Sequence, residues 1–379
     1  MRTKVLQNTI QIKTQEIDSQ SSLGNITSYS PPTEYQQVKL SESDILNLKH
    51  DYKKENIQRK KKIGRKVPRV GYCGIRPIRS DAKFIDAVQG ETGGIYYRGM
   101  QRCGSVWFCP DCMYKLMKGR ADELYSQLKA YKEAGKDVLF LTFTLQHHKG
   151  DPLQDLHSKL LQAFNFANKH KSWIKAKKLV PVEYLRTLEV LFGVNGWHPH
   201  LHCVFIGDPE IVNIIDIFVS LFKKELSKQG LLVNDHTVTI DRWNGKLDDM
   251  KDYIFKGMIE QELTSGSLKK TGSGKTFFEL IDEGNEPAVD EYIKVMKGKR
   301  QYHHSRGFFK DVRVRSDEEI IKDDRIEKVL FTIPIEIYHD IIKKGIALHL
   351  LNEYQYNGKD QAVKLLELYD CDAGFMDSS

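Results

Sequence analysis

The chain has 379 residues, 40% of them hydrophobic and 29% charged, with a formal net charge of +7. That length can bury a sizeable core, in one large domain or two smaller ones. No apolar run is long enough to span a bilayer and no charged-then-apolar leader opens the chain, so a cytoplasmic protein with no membrane partner is expected. The charge permits a polyanionic partner without demanding one.

Residues 1–50, rich in Gln, Ser and Thr with little periodicity, read as a flexible arm with at most one short helix. The block "KKENIQRKKKIGRK" (53–66) is densely basic. It is either a solvated linker or a nucleic-acid contact through Lys60, Lys61, Lys62, Arg65 and Lys66, and charge alone does not choose. Residues 69–115 combine glycines and aromatics with four of the six cysteines, which suggests a small loop-rich module. Clustered cysteines without an export signal favour a metal over disulfides. Cys109-Pro-Asp-Cys112 has zinc-knuckle spacing, and Cys103 and Cys73 would complete the set. Reduced structural cysteines are the alternative. Zinc would let this stretch hold its shape without a large core.

A helix is expected over 114–135, a strand over 137–145, a helix over 155–173 and a strand over 183–192. "GVNG" (193–196) is turn chemistry, "HPHLHCVFIG" the next strand, 209–230 a long amphipathic helix, 236–243 a strand and 246–260 a helix. From residue 137 the order is β-α-β-β-α-β. This predicts an α+β fold: a largely antiparallel sheet of split βαβ type with helices on one face, plus the Cys-rich, zinc-ribbon-like module. The expected divisions are an arm with its basic block (1–65), the Cys module (66–115), a catalytic domain (116–315) and a C-terminal α/β extension (316–379). "TSGSLKKTGSGK" (264–275) reads as a loop; its spacing is wrong for a phosphate loop and no strand precedes it.

His198, His200 and His202 alternate along one strand and so share a face, leaving Leu201, Cys203 and Phe205 for the core. If "GVNG" closes a hairpin, Glu189 comes roughly opposite His200 or His202. Two imidazoles and a carboxylate with open positions suit Mg²⁺ or Mn²⁺ bound to a phosphate, though imidazole also suits zinc. His198 reads as a neighbour of that set at the strand edge. His147 and His148 read as a polar strand end.

"DDMKDYIFKG" (248–257) places Asp249, Tyr253 and Lys256 on one helical face. A phenol near pKa 10 is a poor nucleophile, but a neighbouring ammonium and a metal ion favour the phenolate. Asp249 could then serve as a general base.

The blocks "CGSVWFCPDC" (103–112), "FLTFTLQHHKGDPLQDL" (140–156), "YLRTLEVLFGVNGWHPHLH" (184–202), "DYIFKG" (252–257) and "KGKRQYHHSRGFFK" (297–310) together resemble the HUH endonucleases. More narrowly, they resemble the rolling-circle plasmid replication initiators of the Rep_1 type. The resemblance covers about residues 70–312 and raises the zinc reading of the cysteines. It implies a metal-dependent enzyme that nicks one DNA strand through Tyr253, leaves a 5′-phosphotyrosine link and a free 3′-hydroxyl, and rejoins the strand at termination. It assigns the metal pair to His200 and His202, with Glu189 as third ligand. Asp249 stands where some members carry a glutamate that activates water. "HHSRG" lacks the usual tryptophan, and His303 and His304 read as DNA-facing or structural, with Arg306 beside them on DNA. The implied partners are origin DNA, as a single strand or hairpin, and a host helicase and polymerase. A related transposase or relaxase shares the chemistry; a non-catalytic zinc DNA-binding repressor is the reading from another class.

Overall fold

The computed structural model describes residues 9–12, 36–39, 42–90, 95–242, 274–322 and 326–372. Short strands β1 (Thr9–Ile12) and β2 (Gln36–Lys39) pair, and helix α1 (Glu42–Gly64) follows. Next come a single turn, α2 (Pro68–Gly71), strands β3 (Phe84–Gly90) and β4 (Ile95–Tyr97), and α3 (Pro110–Glu133). The central unit runs β5 (Asp137–Phe143), α4 (Leu153–Lys169), α5 (Lys171–Leu179), β6 (Val182–Gly193), β7 (Gly196–Gly207), α6 (Ile211–Lys228) and β8 (Val238–Arg242). Then follow β9 (Gly274–Lys275), α7 (Phe277–Glu283), α8 (Glu286–Met296), β10 (Tyr302–His304) and α9 (Asp317–Lys322). The described chain closes with β11 (Ile326–Pro334), α10 (Ile335–Lys343), α11 (Ala347–Asn357) and α12 (Lys359–Leu368).

The main sheet has the order β10-β6-β7-β5-β8, with β9 also pairing β6, and every pairing is antiparallel. Alternation assigns each strand residue to a face. On one face Leu139, Leu141 and Phe143 of β5 join Leu201, Cys203 and Phe205 of β7 under α4 and α6. α4 supplies Leu153, Leu156, Leu160 and Phe164 at helical spacing, so one stripe of it is apolar. Phe143 anchors the contact edge-on to Phe164, Phe218 and Phe222, with ring centroids 5.7, 5.7 and 4.8 Å away.

The other face is divided. Val138, Phe140, Leu185, Val204 and Ile206 pack beneath Met117, Ala121, Leu124 and Leu128 of α3. Helices therefore cover both faces, a correction to the expectation of one. The reason is in β5 and β7, where residues 138–141 and 203–206 are apolar without a break, so both faces need burial there. Beyond the end of α3, the same face turns polar with Thr142, Thr187, Glu189, His200 and His202.

A second, smaller core lies under the sheet β11-β3-β4, closed by α10, α11 and α12. Its strands come from the segment expected as a Cys module (β3, β4) and from the expected C-terminal extension (β11). The basic block is likewise no linker: residues 53–64 of it form the C-terminal half of α1. Ile57 and Ile63 are buried, and so are Arg59 and Lys60. α1 ends against α2 with backbones in contact, since a Cβ on Gly64 would fall 2.7 Å from Gly71 Cα.

Candidate active site and a four-cysteine cluster

β6 and β7 form a long hairpin whose register pairs Gly193 with Gly196, Glu189 with His200 and Thr187 with His202. Val194 and Asn195 make the turn, and Gly196 closes it at φ 82°, a left-handed value that glycine adopts without strain. A Cβ there would also press on the His148 carbonyl oxygen at 3.3 Å. This register puts Glu189, His200 and His202 on one face, at its polar end.

Glu189 Oε2 lies 2.5 Å from His200 Nε2 and 3.0 Å from His202 Nε2. The remote ring nitrogens have their own partners. His200 Nδ1 lies 3.4 Å from the His198 carbonyl oxygen, and His202 Nδ1 lies 3.3 Å from Thr142 Oγ1. A proton on each Nδ1 satisfies those contacts and turns the Nε2 lone pairs toward Glu189. Three lone-pair donors then face a common point, an arrangement stable only with a proton or a cation between them. With protons on the Nε2 atoms instead, burial would raise the Glu189 pKa, but hydrogen bonds from His200 and His202 outweigh it and hold the carboxyl well below the usual range. Two imidazoles and a carboxylate that converge, with oriented outer nitrogens, fit a divalent ion with open positions.

His198 stands one step along the strand, outside this set. Its Nε2 lies 2.9 Å from Thr144 Oγ1 and its ring stacks near His147, centroids 4.6 Å apart. Burial, with His200 and His147 close by, pushes its pKa down to about 4. Thr142 and Thr144, which support the histidines, went unnoticed in the sequence, although "LTFTL" sets them two apart in an otherwise apolar strand. Beside Glu189 the outer edge of β6 has no strand partner among the described residues, since β10 pairs with residues 185–187 and β9 with 192–193. A small gap there, of about 50 Å³, is lined by Trp107, Phe277, Tyr292 and Gln301.

The second group is Cys73, Cys103, Cys109 and Cys112, all buried and all free thiols. Cys112 Sγ lies 3.5 Å from Cys73 Sγ and 3.7 Å from Cys103 Sγ, and Cys109 Sγ lies 3.6 Å from Cys73 Sγ. Zinc–sulfur bonds of about 2.3 Å in a tetrahedron put sulfurs about 3.8 Å apart, so the four thiols fit a tetrahedral metal and are too far apart for disulfides. Backbone N–H groups of Cys103 and Ser105 point at Cys73 Sγ and Cys103 Sγ, at 3.4 and 3.5 Å. Hydrogen bonds from the other three thiols hold the Cys73 thiol below its ordinary pKa. Lys60 reaches in from α1, donating to the Cys73 carbonyl at 2.6 Å and to Asp111 at 2.7 Å. Burial would lower its pKa, but Asp111, Cys109 and Cys73 outweigh that and raise it.

Residues 98–220 match the family model described as replication protein, Rep_1. The match covers about a third of the chain. A protein named "Protein rep" from Streptomyces lividans is 26% identical over 153 residues, 33% of this chain and 34% of that protein. A "Neomycin resistance protein" from Streptomyces cyanogenus is 23% identical over 141 residues, 30% of this chain and 32% of that protein. The chain thus spans about a third of the length of these curated relatives. No solved structure matches it. The family match and the relative named "Protein rep" are both likenesses to Rep proteins.

The matched segment contains Glu189, His200, His202 and three of the four clustered cysteines; Cys73 lies before it. Tyr253, Asp249 and Lys256 lie outside the described residues. Of the basic residues expected on DNA, Lys61, Lys62, Arg65, Lys66 and Arg306 are exposed. Lys60 is a correction: it is 2% exposed and bound to Asp111 and the Cys73 carbonyl, so it cannot meet a phosphate. Lys66 pairs with Glu286 and Asp290, and Lys62 donates to the Ile281 carbonyl. His303 and His304 lie on the edge strand β10, away from the Glu189 group; His303 stacks on Tyr184 with centroids 5.9 Å apart. Among the described residues, no helix is long and apolar enough to cross a membrane.

Proposed function

We propose that this chain is a rolling-circle replication initiator that nicks one strand of a plasmid-type origin through Tyr253 and rejoins it at termination. The observation that carries the reading is the convergence of Glu189, His200 and His202 at the polar end of the sheet, inside the segment that matches the Rep_1 model. The order of the central strands, β6-β7-β5-β8, supports a split βαβ sheet of the HUH kind.

Glu189, His200 and His202 would hold Mg²⁺ or Mn²⁺. Such an ion supplies Lewis-acid polarisation of a phosphate oxygen. Thr142 and the His198 carbonyl keep the two imidazoles in the tautomer that offers Nε2. The Tyr253 phenol oxygen attacks phosphorus and the 3′-oxygen leaves, giving a 5′-phosphotyrosine bond and a 3′-hydroxyl that primes synthesis. Lys256 favours the phenolate, and Asp249 acts as the general base at termination. The four cysteines would hold Zn²⁺, which would fix the segment before α3. The partners are origin DNA, exposed as a single strand or hairpin, and a host helicase and polymerase, in the cytoplasm. The reading is tested by incubating the protein with single-stranded origin DNA and Mn²⁺: the wild type forms a covalent adduct and Tyr253→Phe does not.

A further inference from the structure

We propose that the DNA strand engaged at the Glu189–His200–His202 centre continues, as a single strand, through a basic cleft between α2, α8 and β10. The inference rests on the reading of that centre as the strand-cutting site. The cleft has a volume of about 940 Å³. Val106, Trp107 and Gln301 line both it and the gap beside Glu189, so the two spaces adjoin across these residues.

Its charge is one-sided. Arg69 of α2 and Lys297, Lys299 and Arg300, which lead from α8 into β10, line the walls. Among the described residues, none of these four side chains has a carboxylate partner. The acid in the lining, Asp317, is held by Arg120 at 2.6 Å. Cations gathered in a concavity repel one another, and a polyanion threaded between them relieves the repulsion.

Two further features point to a nucleotide chain. Tyr302 and His303 belong to the lining, and among the described residues the Tyr302 hydroxyl and His303 Nδ1 are buried without a hydrogen-bond partner. Phosphate oxygens or base edges would supply what they lack. Trp107 Nε1 donates to the Lys299 carbonyl at 2.8 Å, which ties the basic segment to the floor of the cleft. A walled cleft of this volume admits a few nucleotides of one strand rather than the convex surface of a duplex.

The test is the salt dependence of binding to single-stranded oligonucleotides of unrelated sequence, read by fluorescence anisotropy on the full chain. Each phosphate contact to a single strand contributes about 0.7 to the slope of log K against log salt. The double variant K297Q/R300Q should flatten the slope by about 1.4 and weaken binding to all sequences alike. K171Q/K175Q, which removes the same charge from exposed positions on α5, should leave the slope unchanged. Equal thermal melting of the two variants would show that both keep the fold. An unchanged slope in K297Q/R300Q, an equal loss in K171Q/K175Q, or a loss confined to duplex DNA overturns the proposal. Because the readout is binding, it separates from the reading of the centre. A flattened slope without any covalent adduct in the wild type removes the nicking function and leaves the cleft; an adduct with an unchanged slope removes the cleft alone.

Discussion

Glu189 and His200 face each other directly across the β6–β7 hairpin, with Glu189 Oε2 2.5 Å from His200 Nε2. His202, two residues further on the same face, completes the set at 3.0 Å. Replacing both histidines by alanine therefore removes two of three donors. Metal-dependent nicking should fall by more than about 100-fold while DNA retention in a filter or anisotropy assay stays within a few-fold. Undiminished cleavage by the double variant would remove the metal assignment.

The support around the donors can be tested separately. Thr142→Val keeps the shape of the side chain but loses the oxygen 3.3 Å from His202 Nδ1. The Mn²⁺ concentration for half-maximal nicking should rise about 10-fold, the range for partners that orient a ligand. The maximal rate at saturating Mn²⁺ should change little. An unaltered Mn²⁺ dependence would mean that Thr142 does not orient His202.

Lys60 is 2% exposed and has Asp111 as its carboxylate partner at 2.7 Å. Asp111→Asn leaves a buried ammonium facing a neutral amide, and should cost about 3 kcal/mol in urea unfolding. Cys112→Ser should reduce zinc, measured by elemental analysis of the purified chain, from one equivalent toward none and lower the melting temperature. Full zinc content in Cys112→Ser would count against a four-thiolate site.

His157 on α4 is buried, and that burial, with Lys299 and Arg186 near it, pushes its pKa down to about 4. The ordinary value is about 6.5, so the unfolded chain takes up the proton first as pH falls. The stability contribution is complete above pH 6.5 and is lost as the pH drops to about 4, amounting to about 3 kcal/mol. Comparing unfolding free energies at pH 7 and pH 4.5 checks this. His157→Gln should lose less between the two pH values than the wild type, and an equal loss would contradict the assignment.

The hairpin was legible in the sequence because its signals are local. Histidines at period two, a glycine-bounded turn and a carboxylate at the matching distance on the other side of the turn require no knowledge of the rest of the chain. What was not legible depends on distant partners. Arg59 and Lys60 look like solvated charge until Asp282 and Asp111 are brought to them. β3 and β4 look like loop until β11, from the far end of the chain, pairs with β3. The burial of both sheet faces is written in the unbroken apolar runs of β5 and β7, but not which helix would cover the second one. Glu291, which accepts from Trp197 Nε1 at 2.7 Å and from the Leu153 amide at 2.7 Å, ties α8 to β7 and to the start of α4 through contacts that no periodicity announces.

The proposed function requires that a tyrosine of this chain become covalently joined to DNA at the site built by Glu189, His200 and His202. The direct measurement is mass spectrometry of the proteolysed adduct formed with single-stranded origin DNA and Mn²⁺. The expected result is one nucleotide-bearing peptide, modified at Tyr253 through a 5′-phosphate and absent when His200 and His202 are replaced. An adduct at another tyrosine, or none with intact metal binding, would contradict it.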